Sequence, residues 1–427
     1  MSTIAPLVQT TGQALAARIE ALAQFSAEPD MLTRLTLTPA HRNAADMVTA
    51  WMIQAGMKVH VDALGTVVGR IEATRPTGKA AKTLLLGSHI DTVRNAGKYD
   101  GNFGVIAAIA AVDRLRSEDA ALPFAIEVLA FGDEEGVRYP STLTGSRAVA
   151  GTFDPIALDH QDADGISRRE ALLRFGADPG TATKQGRDPA KTIGYVEVHI
   201  EQGPVLESEG LPIGIVTAIN GATRGTITIT GKSGHSGTLP MSLRHDALTA
   251  AAAMILAVEA IGRSQRGLVA TVGRIETPYG AVNIVPGAVT MSLDVRSPSD
   301  AERKAAVARI AEEISRIAQR RGVEAVFTPS YDMPAAPCDP ALMDMLGRSF
   351  EHLGHAAYRL ASGAGHDAMS FNGRIPIAMI FARCRGGISH NPAEFTSPGD
   401  MEAASVALYE FLKTLSAEPA EKLGAGS

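Results

Sequence analysis

The sequence predicts an α/β fold in which a mainly parallel sheet is interrupted by a small ferredoxin-like βαββαβ unit. Short apolar runs alternate with helical stretches through the first 200 residues. Strict polar–apolar alternation then begins near residue 226, and helix and strand resume after about residue 330.

Residues 7–25 and 40–55 carry apolar positions at helical spacing, the second with Thr38 as an N-cap before Pro39. Residues 59–61, 67–71, 83–86, 125–131 and 195–200 read as buried strands, with a helix over 104–115 between two of them. Residues 157–190 are polar, with a short helical piece near 166–174, and read as an excursion from the sheet. The second pattern has TITIT at 226–230 as a half-buried strand and a helix over 245–262. Strands near 268–276 and 286–295, a charged helix over 300–321 and a strand over 323–328 follow. The Pro-rich stretch 329–340 reads as a linker, and 377–381 as one more apolar strand. The expected domains are 1–212 with 331–427, and 213–330.

Composition excludes several classes. Forty basic against forty-six acidic side chains give a net charge of -6 without a basic run, so nucleic acid is not an expected partner. The N-terminal ten residues have neither the basic flank nor the apolar core of a signal peptide. The most apolar stretch, 247–260, is too short for a bilayer, so no membrane partner is expected. Cys338 and Cys384 are too few for a disulfide framework, which suits a cytoplasmic location.

The chemistry gathers after the apolar strands. One runs into Gly87-Ser88-His89-Ile90-Asp91 and another into Gly132-Asp133-Glu134-Glu135-Gly136. A third ends in His199-Ile200-Glu201-Gln202-Gly203, and a fourth is followed by Ser389-His390-Asn391-Pro392. Open α/β sheets bind ligands beyond the carboxyl ends of their strands. His89, His199 and His390 offer imidazole nitrogens, and Asp100 and Glu135 offer carboxylates, a set suited to two divalent metals. Asp100, in the turn Tyr99-Asp100-Gly101-Asn102, has two oxygens with which to bridge a metal pair. Asp91 is spaced to accept a hydrogen bond from the second ring nitrogen of His89. Of the neighbours Glu134 and Glu135, one can bind metal while the other takes a proton from water.

These runs resemble the dinuclear metallopeptidase superfamily of aminoacylases and zinc carboxypeptidases. FGDEEGVRYPSTLTGS at 131–146, HIEQGPVLE at 199–207 and ISHNPAE at 388–394 are similar to its hydantoinase/carbamoylase branch, whose members cleave ureido compounds. The resemblance covers nearly the whole chain. It implies His89, Asp100 (bridging), Glu135, His199 and His390 as ligands to two divalent ions, Zn or Mn, with Co or Ni suited as well. It implies Glu134 as the base and His235, in Gly234-His235-Ser236-Gly237, as the group that polarises the scissile carbonyl. It further implies Asn283 and Arg296 as contacts to a substrate carboxylate, Gln202 as a contact to the ureido group and Arg224 as an additional contact. The inserted domain would be a lid that also forms a homodimer.

The expected substrate is a small ureido carboxylate. Allantoate is favoured by Arg383-Cys384-Arg385-Gly386-Gly387, and N-carbamoyl-L-amino acids are the alternative. A non-catalytic small-molecule-binding protein on the same fold is the competing class, but it would have no need of Glu134. GTITITGKS at 225–233 is not a phosphate-binding loop, because five residues rather than four separate its glycines. Ser362-Gly363-Ala364-Gly365-His366-Asp367 lacks the serine of a nucleophile elbow and reads as a backbone loop near the substrate. Cys384 reads as packed.

Overall fold

The computed structural model describes residues 11–75 and 81–418. The expected helical start at residue 7 and the signal-peptide reading of the first ten residues lie outside the described residues. The chain divides into two compact units, one formed by residues up to Thr217 with Pro337–Leu360 and Ala364 onward, the other by Ala218–Ala336 with Ala361–Gly363.

The first unit is built on a nine-stranded sheet. Its four central strands, Ala125–Phe131, Thr83–His89, Thr192–Ile200 and Ile377–Ala382, lie parallel in that order. Ala125–Phe131 and Thr192–Ile200 are buried at every residue, as strands covered on both faces must be. Antiparallel strands flank this centre: Val67–Ile71 then Lys58–Val61 on one side, Ile213–Ile219 on the other. Strand Thr83–His89 runs three residues beyond its expected end. Helix Pro39–Gln54 begins as its sequence requires. The Thr38 hydroxyl accepts from the His41 amide at 3.3 Å, and Pro39 occupies the first turn, where no amide hydrogen is needed.

The second unit has an antiparallel sheet ordered Ile275–Glu276, Ala288–Ser297, Gly221–Thr230, Glu324–Met333, with Val269–Thr271 also pairing with Ala288–Ser297. Helices Ala247–Arg263 and Asp300–Arg321 cover one face. There Val289, Met291, Leu293 and Val295 pack with Met254, Ile310 and Ile314 in one core. The strand order is that of a ferredoxin-like unit.

Three expectations are corrected. The boundary at 212/213 falls too early, because Ile213–Ile219 pairs with Ile377–Ala382 in the large sheet. The single strand expected at 268–276 is two short ones. The Pro-rich linker expected from 329 is strand as far as Met333, with a register shift between Pro329 and Tyr331. The strand lies at the edge of its sheet, where a residue without an amide hydrogen is tolerated and a bulge absorbs the mismatch. Residues 226–230 lie within strand Gly221–Thr230 and not in a phosphate loop. Among the described residues, no helix is long and apolar enough to cross a membrane.

Candidate metal centre

Strand register brings the first two imidazoles together. Leu86 lies beside Val196 in the parallel pair, so three residues further on His89 and His199 leave the same carboxyl end of the sheet, their rings 5.7 Å apart. The turn before helix Asn102–Ser117 then returns to them. Gly101 has φ +64°, and a Cβ there would lie 2.4 Å from the His89 ring, so glycine alone lets this turn approach. Asp100 Oδ1 consequently lies 3.2 Å from His199 Nε2 and 3.3 Å from His89 Nε2. Its Oδ2 lies 3.4 Å from His390 Nε2, which is also 3.4 Å from Glu135 Oε2. Two donor groups thus share Asp100: His89, Asp100 and His199, all buried, and Asp100, Glu135 and His390, reached from solvent at the half-exposed His390. Glu134 belongs to neither group, with Oε2 3.9 Å from His89 Nε2.

This donor set fits a cation. His89 Nδ1 lies 3.1 Å from the Asp91 carbonyl and His199 Nδ1 lies 2.9 Å from the Ile200 carbonyl. A carbonyl can only accept, so each Nδ1 carries the proton and each neutral ring turns its Nε2 lone pair toward Asp100. The Gly101 amide donates to His199 Nε2 at 3.1 Å, which agrees. Lone pairs facing a carboxylate in a buried site repel unless a cation or extra protons lie among them. Without metal, protons serve. Burial lowers the pKa of His89 and His199, but Asp100, joined at His89 by Asp91 and Glu134 and at His199 by Glu197, outweighs it and holds both above the usual imidazole value. Hydrogen bonding to Asp100 takes His390 up to about 9.

A sequence profile of peptidase family M20/M25/M40 matches residues 85–414. The chain belongs to this family. Among its relatives, allantoate deiminase of Arabidopsis thaliana is 38% identical over 93% of this chain and 81% of its own length. N-carbamoyl-L-amino acid amidohydrolase of Geobacillus stearothermophilus is also 38% identical, over 93% of this chain and 97% of its own. A hydantoinase/carbamoylase family amidase from Burkholderia multivorans superposes with a TM-score of 0.90 at 31% identity, covering 97% of this chain and all of that one.

In this M20 chain the roles anticipated for the remaining residues divide by location. Asp91 differs in detail from expectation. Its backbone carbonyl, not its carboxylate, is the nearer partner of His89, the carboxylate standing 3.5 Å off. The carboxylate instead accepts the backbone amides of Glu134 at 3.2 Å and Glu135 at 3.3 Å, fixing the turn that carries both. Gln202 donates to Asp100 Oδ2 at 2.6 Å, while its buried Oε1 has no partner among the described residues. Burial, with Glu135, Asp367 and Asp100 nearby, holds Glu134 well above the usual carboxyl range despite His89, and burial takes Glu135 to about 7.

In the second unit, exposed His235 pairs with Ile284 across a two-stranded ladder, and the Ser236 amide bonds the Asn283 carbonyl at 2.9 Å. Arg224 and Arg296 meet at Asp294 on the sheet face away from the helices.

Several contributors were missed by sequence reasoning. Glu394 Oε1 accepts the amides of Tyr99 and Asp100, and the Ser389 hydroxyl lies 2.9 Å from Glu394 Oε2 and 2.8 Å from Asp100 Oδ2, its one proton serving either carboxylate. Both lie in the ISHNPAE run that carries His390, so their nearness in sequence was the available signal. Glu197 and His366 form a third buried donor group with His199. Glu197 is on the same strand face as His199, two residues before it, whereas only the fold brings His366 there. Burial pushes the Cys384 thiol up to about 12, in keeping with a packed rather than nucleophilic cysteine.

Proposed function

We propose that this protein is an amidohydrolase that cleaves the ureido C–N bond of a small carboxylate-bearing substrate, with allantoate first. The observation that carries this reading is Asp100 shared among three imidazoles with an unligated carboxylate, Glu134, beside them. A pure binding protein has no use for the second feature. Its relatives of both ureido-cleaving kinds support the substrate class.

His89, Asp100 and His199 would hold one divalent ion, and Asp100, Glu135 and His390 a second, Zn or Mn by donor type. When bound, such ions supply Lewis acidity, polarising a carbonyl and lowering the pKa of water. Glu134 takes the proton of the attacking water and returns it to the leaving nitrogen. Asp91 keeps Glu134 and Glu135 apart in function by fixing their backbone. The Gln202 Oε1 acceptor suits a ureido N–H. His235 donates to the carbonyl oxygen as charge develops there. Arg296 and Asn283 take the substrate carboxylate, with Arg224 adding charge. The balance is R–NH–CO–NH2 + H2O → R–NH2 + CO2 + NH3.

Allantoate stands first on the 383–387 run, although Arg383 pairs with Asp400 and Arg385 lies over Phe395, so these side chains brace the loop before His390. N-carbamoyl-L-amino acids form the second reading, favoured by the equal identity to a relative of that name. We further infer a cytoplasmic homodimer. Support comes from two free, buried cysteines and from exposed apolar residues of the inserted unit such as Leu256 and Val269. Ammonia release from allantoate, N-carbamoyl-L-amino acids and ureidoglycolate tests the reading. Release from none of them in metal-loaded protein would reject it.

A further inference from the structure

Asp294 lies directly opposite Arg224 in the register of the small sheet and two residues before Arg296. All three side chains therefore leave the sheet on the face opposite the buried Val289–Val295 alternation. Asp294 Oδ1 accepts from Arg296 Nε at 2.9 Å, and its Oδ2 accepts from Arg296 Nη2 at 2.8 Å and from Arg224 Nε at 3.1 Å. Arg296 Nη1 also donates to the Gly363 carbonyl at 2.8 Å. A guanidinium has five N–H donors, so Arg296 uses three and keeps two. Arg224, stacked 4.9 Å from the Tyr331 ring centre, uses one.

Two guanidiniums against one carboxylate leave this trio with a single net positive charge. The Nε/Nη2 edge of Arg296, one of the edges that can grip a carboxylate with two parallel bonds, is already filled by Asp294. A ligand with one carboxylate finds the remaining donors and the remaining charge. A second carboxylate meets the Asp294 charge and competes for donors already engaged.

We propose that Asp294 is a specificity-determining residue that restricts this protein to ureido substrates bearing one carboxylate and discriminates against dicarboxylates. The proposal rests on the ureido-carboxylate reading above for the role of Arg296. It adds that an internal carboxylate occupies the position a second ligand carboxylate would take.

The test compares N-carbamoyl-L-aspartate with N-carbamoyl-L-alanine, which differ by one side-chain carboxylate, in metal-loaded wild type and Asp294→Asn. The ratio of kcat/KM for aspartate over alanine should rise about fivefold in the variant, the scale of a half-exposed ion pair. A residue that merely holds the fold would depress both substrates alike, so an unchanged or lower ratio overturns the proposal. Should Asp294→Asn fail to fold, Arg224→Gln reads the same balance from the other side. It removes a cation while Asp294 stays, so the ratio should fall below wild type, and an unchanged ratio again overturns the idea. Calorimetric titration of succinate against propionate repeats the comparison without turnover. Succinate should gain on propionate in Asp294→Asn, and absence of that gain counts against the proposal even if no ureido compound is cleaved.

Discussion

Glu394 holds Asp100 by its backbone: the Asp100 amide donates to Glu394 Oε1 at 3.1 Å. The same oxygen takes the Tyr99 amide at 2.9 Å, and the Ser389 hydroxyl lies between the other oxygen and Asp100 Oδ2 with one proton for the two. One carboxylate thus fixes the backbone that carries Asp100. Glu394→Ala leaves two buried amides without an acceptor, which should cost ~1–3 kcal/mol. Glu394→Gln keeps an acceptor for them and should cost much less. Metal content by elemental analysis should fall in the alanine variant and stay near wild type in the glutamine variant. Equal metal content in both would mean that Glu394 does not position Asp100.

Asp100 is common to both donor groups, whereas His390 belongs to one. Asp100→Ala should therefore lose nearly all bound metal and His390→Ala mainly one equivalent. Chelation should abolish turnover, and a divalent ion should restore it. Turnover by a demonstrably metal-free preparation would contradict this.

The adjacent glutamates should separate cleanly. Glu134→Gln preserves shape but removes the base proposed above, so turnover should slow by ~10²–10⁴-fold while metal content holds. Glu135→Gln should lose metal first. Exchanged phenotypes would reverse the assignment.

His41 links the catalytic unit to acid stability. It is buried, and its Nδ1 accepts the Leu37 amide at 2.9 Å, so the neutral ring carries its proton on Nε2, for which no partner exists among the described residues. Protonating Nδ1 would break that bond. Burial, with Arg34, Arg138 and Arg42 nearby, lowers its pKa from 6.5 to about 4, against Asp91. The folded pKa lies below the unfolded one, so as pH falls from 6.5 the unfolded chain binds the proton first and stability declines until about pH 4. The full loss amounts to about 3 kcal/mol. Asn can supply the acceptor without titrating. Urea unfolding at several pH values should show a flatter profile for His41→Asn than for wild type, and parallel profiles would exclude His41 as the source.

What was legible in the sequence follows from where each interaction is encoded. His89 and His199 end apolar strands and Glu135 follows one closely, and parallel register brings the two imidazoles together, while Asp100 returns to them in the turn before helix Asn102–Ser117. Local pattern and one topological rule suggest that grouping, while the choice between Glu134 and Glu135 came from the family resemblance. Asp294 went unread because, although Arg296 is only two residues on, its second partner Arg224 lies 70 positions away and meets it only through strand pairing. His366 reaches His199 only through folding, with ring centres 4.5 Å apart. Pro329 misled because proline signals a break unless the strand is known to be an edge, which sequence does not reveal.

Arg296 and His235 give the last prediction, because binding and transition-state stabilisation leave different kinetic signatures. Arg296 is held by Asp294 and Gly363 with donors still available, an orientation that depends on a planar fork. Arg296→Lys keeps the charge but offers neither the fork nor the bidentate bond to Asp294, so KM should rise strongly while kcat changes little. His235 is exposed, with Nδ1 accepting the Gly237 amide at 3.2 Å, which leaves the proton on Nε2 of the neutral ring, ready to donate. Such a bond strengthens only as negative charge develops on the carbonyl oxygen. His235→Ala should therefore lower kcat with KM nearly unchanged. Neither residue belongs to a metal donor group, so metal content should match wild type in both variants. If His235→Ala raised KM alone, its bond would be equally strong in the bound ground state, and the histidine would be a substrate contact and not a stabiliser of the transition state.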